Sequence, residues 1–168
     1  MCIPHIPEKD QLQALETLID IDRRWFPSCQ EDACFYIRPL IFGDEDALGV
    51  NPSNTFTYCL FFSPSGPYYD HSKPLKLYLT QQYHRAAPGG SGAAKAAGNY
   101  GGSLFALQKA KELGAFQVLY LDVNNKHIEE TGASNHFHVT KEGELVIPPF
   151  SDTIIESVTA RSVLSLDE

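Results

Sequence analysis

Over residues 8–26 the apolar positions Leu12, Leu15, Leu18, Ile19 and Trp25 recur at three- and four-residue steps, and Pro7 stands just ahead, which predicts an amphipathic helix. The segments that follow have a different texture. Residues 33–43 (ACFYIRPLIFG) and 55–63 (TFTYCLFFS) are aromatic and β-branched and are separated by the turn-rich GVNPSN, so two buried strands of one sheet are expected. Residues 75–80 (LKLYLT) alternate apolar and polar, as a half-buried strand does. Residues 84–102 (HRAAPGGSGAAKAAGNYGG) then break the pattern: Gly, Ala and Pro dominate without a period that would build a strand or a stable helix, and a loop or flexible linker is expected. Helical propensity returns at 103–113 (SLFALQKAKEL), closing on Gly114 as a natural C′ residue. Strands are predicted at 116–122 (FQVLYLD), 136–140 (HFHVT) and 145–149 (LVIPP), the last two joined by the turn KEGE, and a final helix begins after Ser151 or Ser157.

Composition narrows the classes of partner. The chain has 168 residues, 43% of them hydrophobic and 20% charged, which is enough apolar material for a globular core. Thirteen Lys and Arg against 21 Asp and Glu give a net charge of −8, a field that repels phosphate backbones and anionic lipid; nucleic-acid and membrane partners are excluded on this reading. No run approaches the roughly 18 apolar residues of a transmembrane helix, and MCIPHIPEKD lacks the form of a signal peptide, so a cytoplasmic protein is expected. Cys2, Cys29, Cys34 and Cys59 form no C-x-x-C pair and read as reduced thiols that mostly fill the core.

Candidate chemistry lies in three places. The Gly-rich segment fails the Walker pattern, because Lys95 stands between Ala94 and Ala96, and it fails the dinucleotide fingerprint, because Lys95 falls where the third Gly belongs. Lys95 among small residues is either a solvated linker charge or, if desolvated, an amine nucleophile toward carbonyls. His136 and His138 share a strand face and could chelate, but no nearby Asp, Glu or Cys completes a set, and solvated histidines of a strand face are the simpler reading; no metal is expected. Glu129 and Glu130 are either turn charges or a working acid.

Taken together, RAAPGGSGAAKAAGNYGGSL (85–104), QVLYLD (117–122), EETGASNHFHV (129–139), PPFSDTI (148–154) and, upstream, YIRPLIFGDEDALGV (36–50) and SPSGPYY (63–69) resemble the branched-chain amino-acid aminotransferases, in the same order and at similar spacing. The resemblance implies an α+β fold, that of fold-type-IV pyridoxal-phosphate enzymes, with a two-domain architecture represented only in part: residues 1–79 as the end of a small N-terminal domain, 80–94 as an interdomain linker, and 95–168 as the start of the larger cofactor-binding domain. It implies pyridoxal 5′-phosphate as cofactor and transfer of the amino group of Leu, Ile or Val to 2-oxoglutarate; a truncated, non-catalytic remnant of the family is the alternative.

By position, Lys95 of K-A-A-G-N-Y matches the family's Schiff-base lysine, Tyr100 the phenol near the cofactor's ring oxygen, and Glu130 of E-T-G-A-S-N the acid that pairs with the pyridine nitrogen. Val158 and Thr159 match the phosphate seat at the start of the last helix. The family pattern there, Leu-Pro-Gly-Val/Ile-Thr, reads Ile155-Glu156-Ser157-Val158-Thr159 in this chain, which brings an acid close to the phosphate. Tyr36, Arg38, Tyr68 and Ala133 resemble residues that enclose an aliphatic side chain and steer the substrate carboxylate. Val50, after Leu48, resembles a loop that enters the neighbouring subunit's site, which implies a homodimer. The family's remaining phosphate and carboxylate contacts, an upstream Arg among them, are expected in flanking segments that precede Met1 and follow Glu168.

Overall fold

The computed structural model describes residues 2–27, 33–67, 69–70 and 72–167. The chain divides into two compact units, Met1–Lys73 and Pro74–Glu168.

In the first unit, α1 (Glu8–Asp22) starts where Pro7 pre-sets the backbone and places Glu8 and Asp10 in the first turn, the end at which the helix dipole favours anions. A 3₁₀ turn, Arg23–Trp25, completes the expected helical segment. Strands β1 (Cys34–Gly43) and β2 (Phe56–Ser65) pair antiparallel without a register break, from Cys34 opposite Ser65 to Gly43 opposite Phe56. Phe35 stacks on Phe26 at 4.3 Å and meets Phe62 edge-on at 4.7 Å. The loop between the strands is braced by Glu45, whose carboxylate accepts the Asn54 backbone N–H at 2.7 Å; these bonds hold its pKa below the ordinary value.

One sheet is thus correct, but its burial is not: Tyr36, Ile37, Leu40, Phe42 and Phe61 are all more than 40% exposed. Two strands and one helix have too little surface to cover both faces of the sheet. Nor are the thiols core filling, since Cys2 and Cys34 are exposed and Cys59 is half-buried, all three unpaired; Cys29 lies outside the described residues.

The second unit is built on a three-stranded sheet in the order β3 (Leu77–Thr80), β4 (Gln117–Leu121), β5 (Ile128–Thr131). β3 runs parallel to β4, and the crossover carries α2 (Ala97–Gly101) and α3 (Leu104–Glu112). α3 turns Ala106 and Ala110 onto Val118 and Tyr120 of β4, with Tyr78, Tyr83 and Leu107 packed around them. It ends as expected: Gly114 takes φ +69° and the Ala115 N–H bonds the Ala110 carbonyl at 2.9 Å, a Schellman cap. β4 and β5 are antiparallel with a register shift between Leu119 and Leu121. The hairpin β6 (His138–Val139) and β7 (Leu145–Val146) and the helix α4 (Val158–Asp167), which begins after Ser157, complete the unit.

Several expectations are corrected by this architecture. β3 turns its leucines outward: Leu79 is exposed while Tyr78 and Thr80 face inward, because the neighbouring layer is made of α3 alanines, against which larger polar-tipped residues fit. The division at 79/80 moves to 73/74 because β3 pairs with β4. Residues 80–94 are not a linker, since Thr80, Arg85 and Gly92 are buried within the second unit. α2 forms where no stable helix was expected, and β5 forms where the acids Glu129 and Glu130 suggested a turn.

Candidate active site

The Gly-rich segment is a set of interlocked turns. Ala87-Pro88-Gly89-Gly90 is a type II turn: Pro88 pre-sets φ at its second position, Gly89 supplies φ +75° at its third, and the Gly90 N–H bonds the Ala87 carbonyl at 3.0 Å. Asp152 anchors it twice, its carboxylate accepting the Gly89 N–H at 2.5 Å and its carbonyl the Ala93 N–H at 2.9 Å. Asn99, on α2, donates to the carbonyls of Ser91 (2.6 Å) and Ala94 (2.9 Å) and accepts the Ser91 hydroxyl (2.7 Å). This lacing fixes the backbone on both sides of Lys95. The Lys95 ammonium lies 4.9 Å from the centre of the Tyr100 ring, and both side chains line a cavity of about 530 Å³.

Glu130 forms a second wall. Successive residues of β5 point to opposite faces, so Glu130 lines the cavity of Lys95, whereas Glu129 lines a separate one with His136 and His138 and accepts the Thr153 hydroxyl at 2.6 Å. Glu130 is almost completely enclosed, its side chain 5% exposed, and is ion-paired with Arg85, whose side chain is 2% exposed. The Arg85 guanidinium also donates to the carbonyls of Gly92 and Thr153. Burial pushes the Glu130 carboxyl up to about 7; the Arg85 charge, a backbone bond from Ile155 and the Lys95 charge oppose the shift without cancelling it. The group is therefore poised to gain or lose a proton near neutral pH.

The third wall is the start of α4. Ser157 caps the helix, its hydroxyl accepting the Ala160 N–H at 3.2 Å. That leaves the N–H groups of Val158 and Thr159, which a helix cannot bond internally and which belong to residues lining the cavity. Glu156 also lines the cavity, but its side chain is solvent-exposed and 3.7 Å from Arg161, so solvent screens its charge. Asn135 joins this wall to the second, donating to Glu130 Oε2 at 3.3 Å and to the Ile155 carbonyl at 2.8 Å.

Lys95, Tyr100, Glu130, Ala133, Val158 and Thr159 thus share one cavity. Tyr36, Arg38 and Val50 belong to the first unit; the Arg38 guanidinium lies 4.9 Å over the Tyr36 ring, and Val50 is fully exposed. Tyr68 lies outside the described residues. The turn-charge reading of Glu129 and Glu130 is overturned by their burial. The histidine pair is half correct: His138 is exposed, whereas His136 is half-buried, 3.2 Å from His138 Nδ1, with its pKa lowered by burial and by that neighbour. Among the described residues no cluster of three or more His, Cys, Asp or Glu could hold a metal, and no helix is long and apolar enough to cross a membrane. Sequence reasoning gave no role to Arg85, Asn99 or Asn135. None of them has a sequence neighbour that supplies its partner, and the partners are set by the fold: Arg85 pairs with Glu130, and Asn135 reaches Ile155 twenty positions on.

The cavity joins an amine, a buried acid and an uncapped pair of helix amides, a donor set suited to a small anionic cofactor with a basic ring and a carbonyl. The profile of the family described as amino-transferase class IV matches residues 3–168, and the chain belongs to that family. Within it, the chain is 39% identical to the branched-chain-amino-acid aminotransferase of Mycolicibacterium smegmatis and 43% identical to branched-chain-amino-acid aminotransferase 2 of Bacillus subtilis, covering 99% of this chain and 46% of each relative. The chain thus spans about half the length of the curated relatives it matches. Among solved structures, the Escherichia coli branched-chain amino acid aminotransferase superposes with a TM-score of 0.73 at 30% identity, over 98% of this chain and 51% of that one. The Thermobaculum terrenum branched-chain amino acid aminotransferase in its PLP-bound holo form gives 0.61 at 27% identity, over 79% and 43%.

Proposed function

We propose that this protein is a pyridoxal 5′-phosphate-dependent transaminase that moves the amino group of leucine, isoleucine or valine to 2-oxoglutarate. The observation that carries this reading is the grouping of Lys95, Tyr100, Glu130 and the α4 N-terminus around one cavity of about 530 Å³. The residues fit the cofactor by their chemistry. Lys95 supplies the amine for its carbonyl, the Val158 and Thr159 amides and the helix dipole suit its phosphate, and Glu130 suits its ring nitrogen. When bound, pyridoxal phosphate supplies the electron sink that lets the Cα–H bond of an amino acid be broken.

The chain's own groups do the rest. Lys95 Nζ binds the cofactor and, once freed, takes and returns the proton at the substrate's Cα, general acid–base catalysis by a positioned amine. Tyr100, whose ring the Lys95 ammonium overlies, orients that amine. Glu130 would serve as the acid for the ring nitrogen, and a cationic nitrogen held there would favour the ionised carboxylate in turn.

In the same reading substrate contacts are assigned to Tyr36, Arg38, Val50, Tyr68 and Ala133, as the resemblance implies for a pocket that takes an aliphatic side chain and a carboxylate. An apolar pocket separates neighbouring aliphatic substrates by only about 1–3 kcal/mol per methylene, so overlapping use of leucine, isoleucine and valine is expected. The full exposure of Leu48 and Val50 supports a loop that enters the site of a second copy, hence a homodimer. Pro74–Glu168 corresponds to the first part of the larger, cofactor-binding domain and Met1–Lys73 to part of the smaller one. A cytoplasmic site for the reaction is part of the same reading.

The test is chemical. Borohydride reduction in the presence of pyridoxal phosphate is expected to mark Lys95 above the other lysines, as located by peptide mass spectrometry, and leucine with 2-oxoglutarate should then yield glutamate. Scattered or absent label would overturn the cofactor reading and leave a non-catalytic member of the family.

A further inference from the structure

Glu130 and the anion seat lie on elements far apart in sequence, β5 and the start of α4, and the cavity between them has to match the length of what it binds. Two residues join these elements. Glu130 and Asn135 form an isolated antiparallel bridge, which puts their side chains on one face. The Asn135 amide has two N–H groups, and Nδ2 reaches both Glu130 Oε2, at 3.3 Å, and the Ile155 carbonyl, at 2.8 Å. Acid, amide and the approach to α4 are therefore joined by hydrogen bonds through Asn135, and Ser157, which caps α4, is only two residues beyond Ile155.

We infer that Asn135 is a positioning residue that ties Glu130 to the entry of α4, setting the separation of the ring-nitrogen acid from the anion seat. The inference rests on the cofactor reading above and adds a role for a residue that touches neither the amine nor the anion seat. A donor on Oε2 stabilises the carboxylate against the burial that favours its neutral form. Loss of that donor also frees the Ile155 carbonyl, so one substitution loosens both ends of the cradle.

The experiment is a double-mutant cycle on pyridoxal phosphate affinity, measured by absorbance titration of the purified protein with Asn135→Ala, Glu130→Gln and the pair. Cofactor-free melting temperatures serve as the structural control. Asn135→Ala is expected to weaken binding about tenfold and to move the pH-dependent absorbance change of the bound cofactor to higher pH, since a ring nitrogen less supported by Glu130 withdraws less charge from the conjugated imine. In the Glu130→Gln background the same substitution should weaken binding by less than threefold, because the acid through which it acts is gone. Additive losses, or an unshifted pH profile, would overturn the inference while leaving the cofactor reading intact. Failure of the unsubstituted protein to bind pyridoxal phosphate would overturn both. If Asn135→Ala does not fold, Asn135→Asp keeps the size and sets a carboxylate against Glu130, with a loss above tenfold expected; unfolding of both variants would make Asn135 purely structural and overturn the inference.

Discussion

Among the described residues none of positions 2–73 is buried, whereas the stretch from Thr80 to Ala160 contains every residue that is. The first unit holds the longest strands of the chain, β1 and β2, both rich in aromatic residues, yet leaves Tyr36, Phe42 and Phe61 largely in solvent. The second encloses Arg85, Glu129, Glu130, Thr131 and Thr153, groups that water would keep if the fold did not supply partners. Hydrophobic pattern thus marks where a sheet forms, while buried polar groups mark where position matters. A carboxylate held by a guanidinium, an amide and a backbone N–H has little freedom to move, and that rigidity is what a site for proton chemistry needs.

The largest effect should come from breaking the buried pair. Arg85→Ala removes the only cation in direct contact with Glu130 among the described ion pairs and strands the carboxylate, at a cost of about 3–5 kcal/mol in unfolding free energy. The pH dependence fixes the cause. The folded-state pKa of Glu130, about 7, lies above its ordinary 4.5, so the folded state binds the proton more tightly, and stability due to this group is full below pH 4.5 and falls as pH rises through 7. Removing Arg85 raises the folded value further, and the deficit in denaturant unfolding should be small near pH 4.5 and largest above pH 7. A deficit independent of pH would mean that Arg85 acts through packing and not through charge.

A smaller loss is expected in the loop that holds Lys95. A Cβ at position 92 would fall 2.7 Å from Thr153 Cα and 2.6 Å from Ala86 Cβ, both backbone-fixed neighbours. Gly92→Ala should therefore cost about 1–3 kcal/mol and shift Lys95 enough to reduce its selective labelling, whereas Gly98→Ala, with nothing within 4 Å of the new Cβ, should leave labelling unchanged. Equal labelling in the two variants would show that the close approach of Gly92 to Thr153 does not position Lys95.

These residues also show what a sequence can and cannot carry. The helix over 8–26, the strand pair, the Gly114 cap and the start of α4 were legible because each depends on local periodicity or on one residue's backbone preference. Lys95, Tyr100 and Glu130 became legible only through ordered motifs. Arg85 was not, although it stands in the same motif as Lys95, because the partner that gives it meaning is 45 positions away on β5. The linker reading of 80–94 failed for a related reason: small residues without a period describe a free chain and a tightly approached backbone equally well, and Asp152 and Thr153, which distinguish the two, come from beyond β7. Leu77 and Leu79 misled in the other direction, since alternation shows that a strand has two faces and leaves open which one the alanines of α3 will cover.

The smallest effect tests the exposed side of the contrast. Leu48 and Val50 have no surface removed from water, so replacing both with serine should change the unfolding free energy by no more than about 0.5 kcal/mol at high dilution. If their loop enters a second copy, the same pair of substitutions should weaken self-association in sedimentation, and the melting temperature should lose part of its dependence on protein concentration. A drop above about 1 kcal/mol at dilution would mean that the two side chains pack within a single chain, and the first unit would then hide more apolar surface than its open sheet suggests. An unchanged melting temperature with unchanged self-association would instead leave the exposure intact and remove the loop from the dimer. The two measurements therefore separate burial within one chain from burial between copies, which static exposure alone leaves merged.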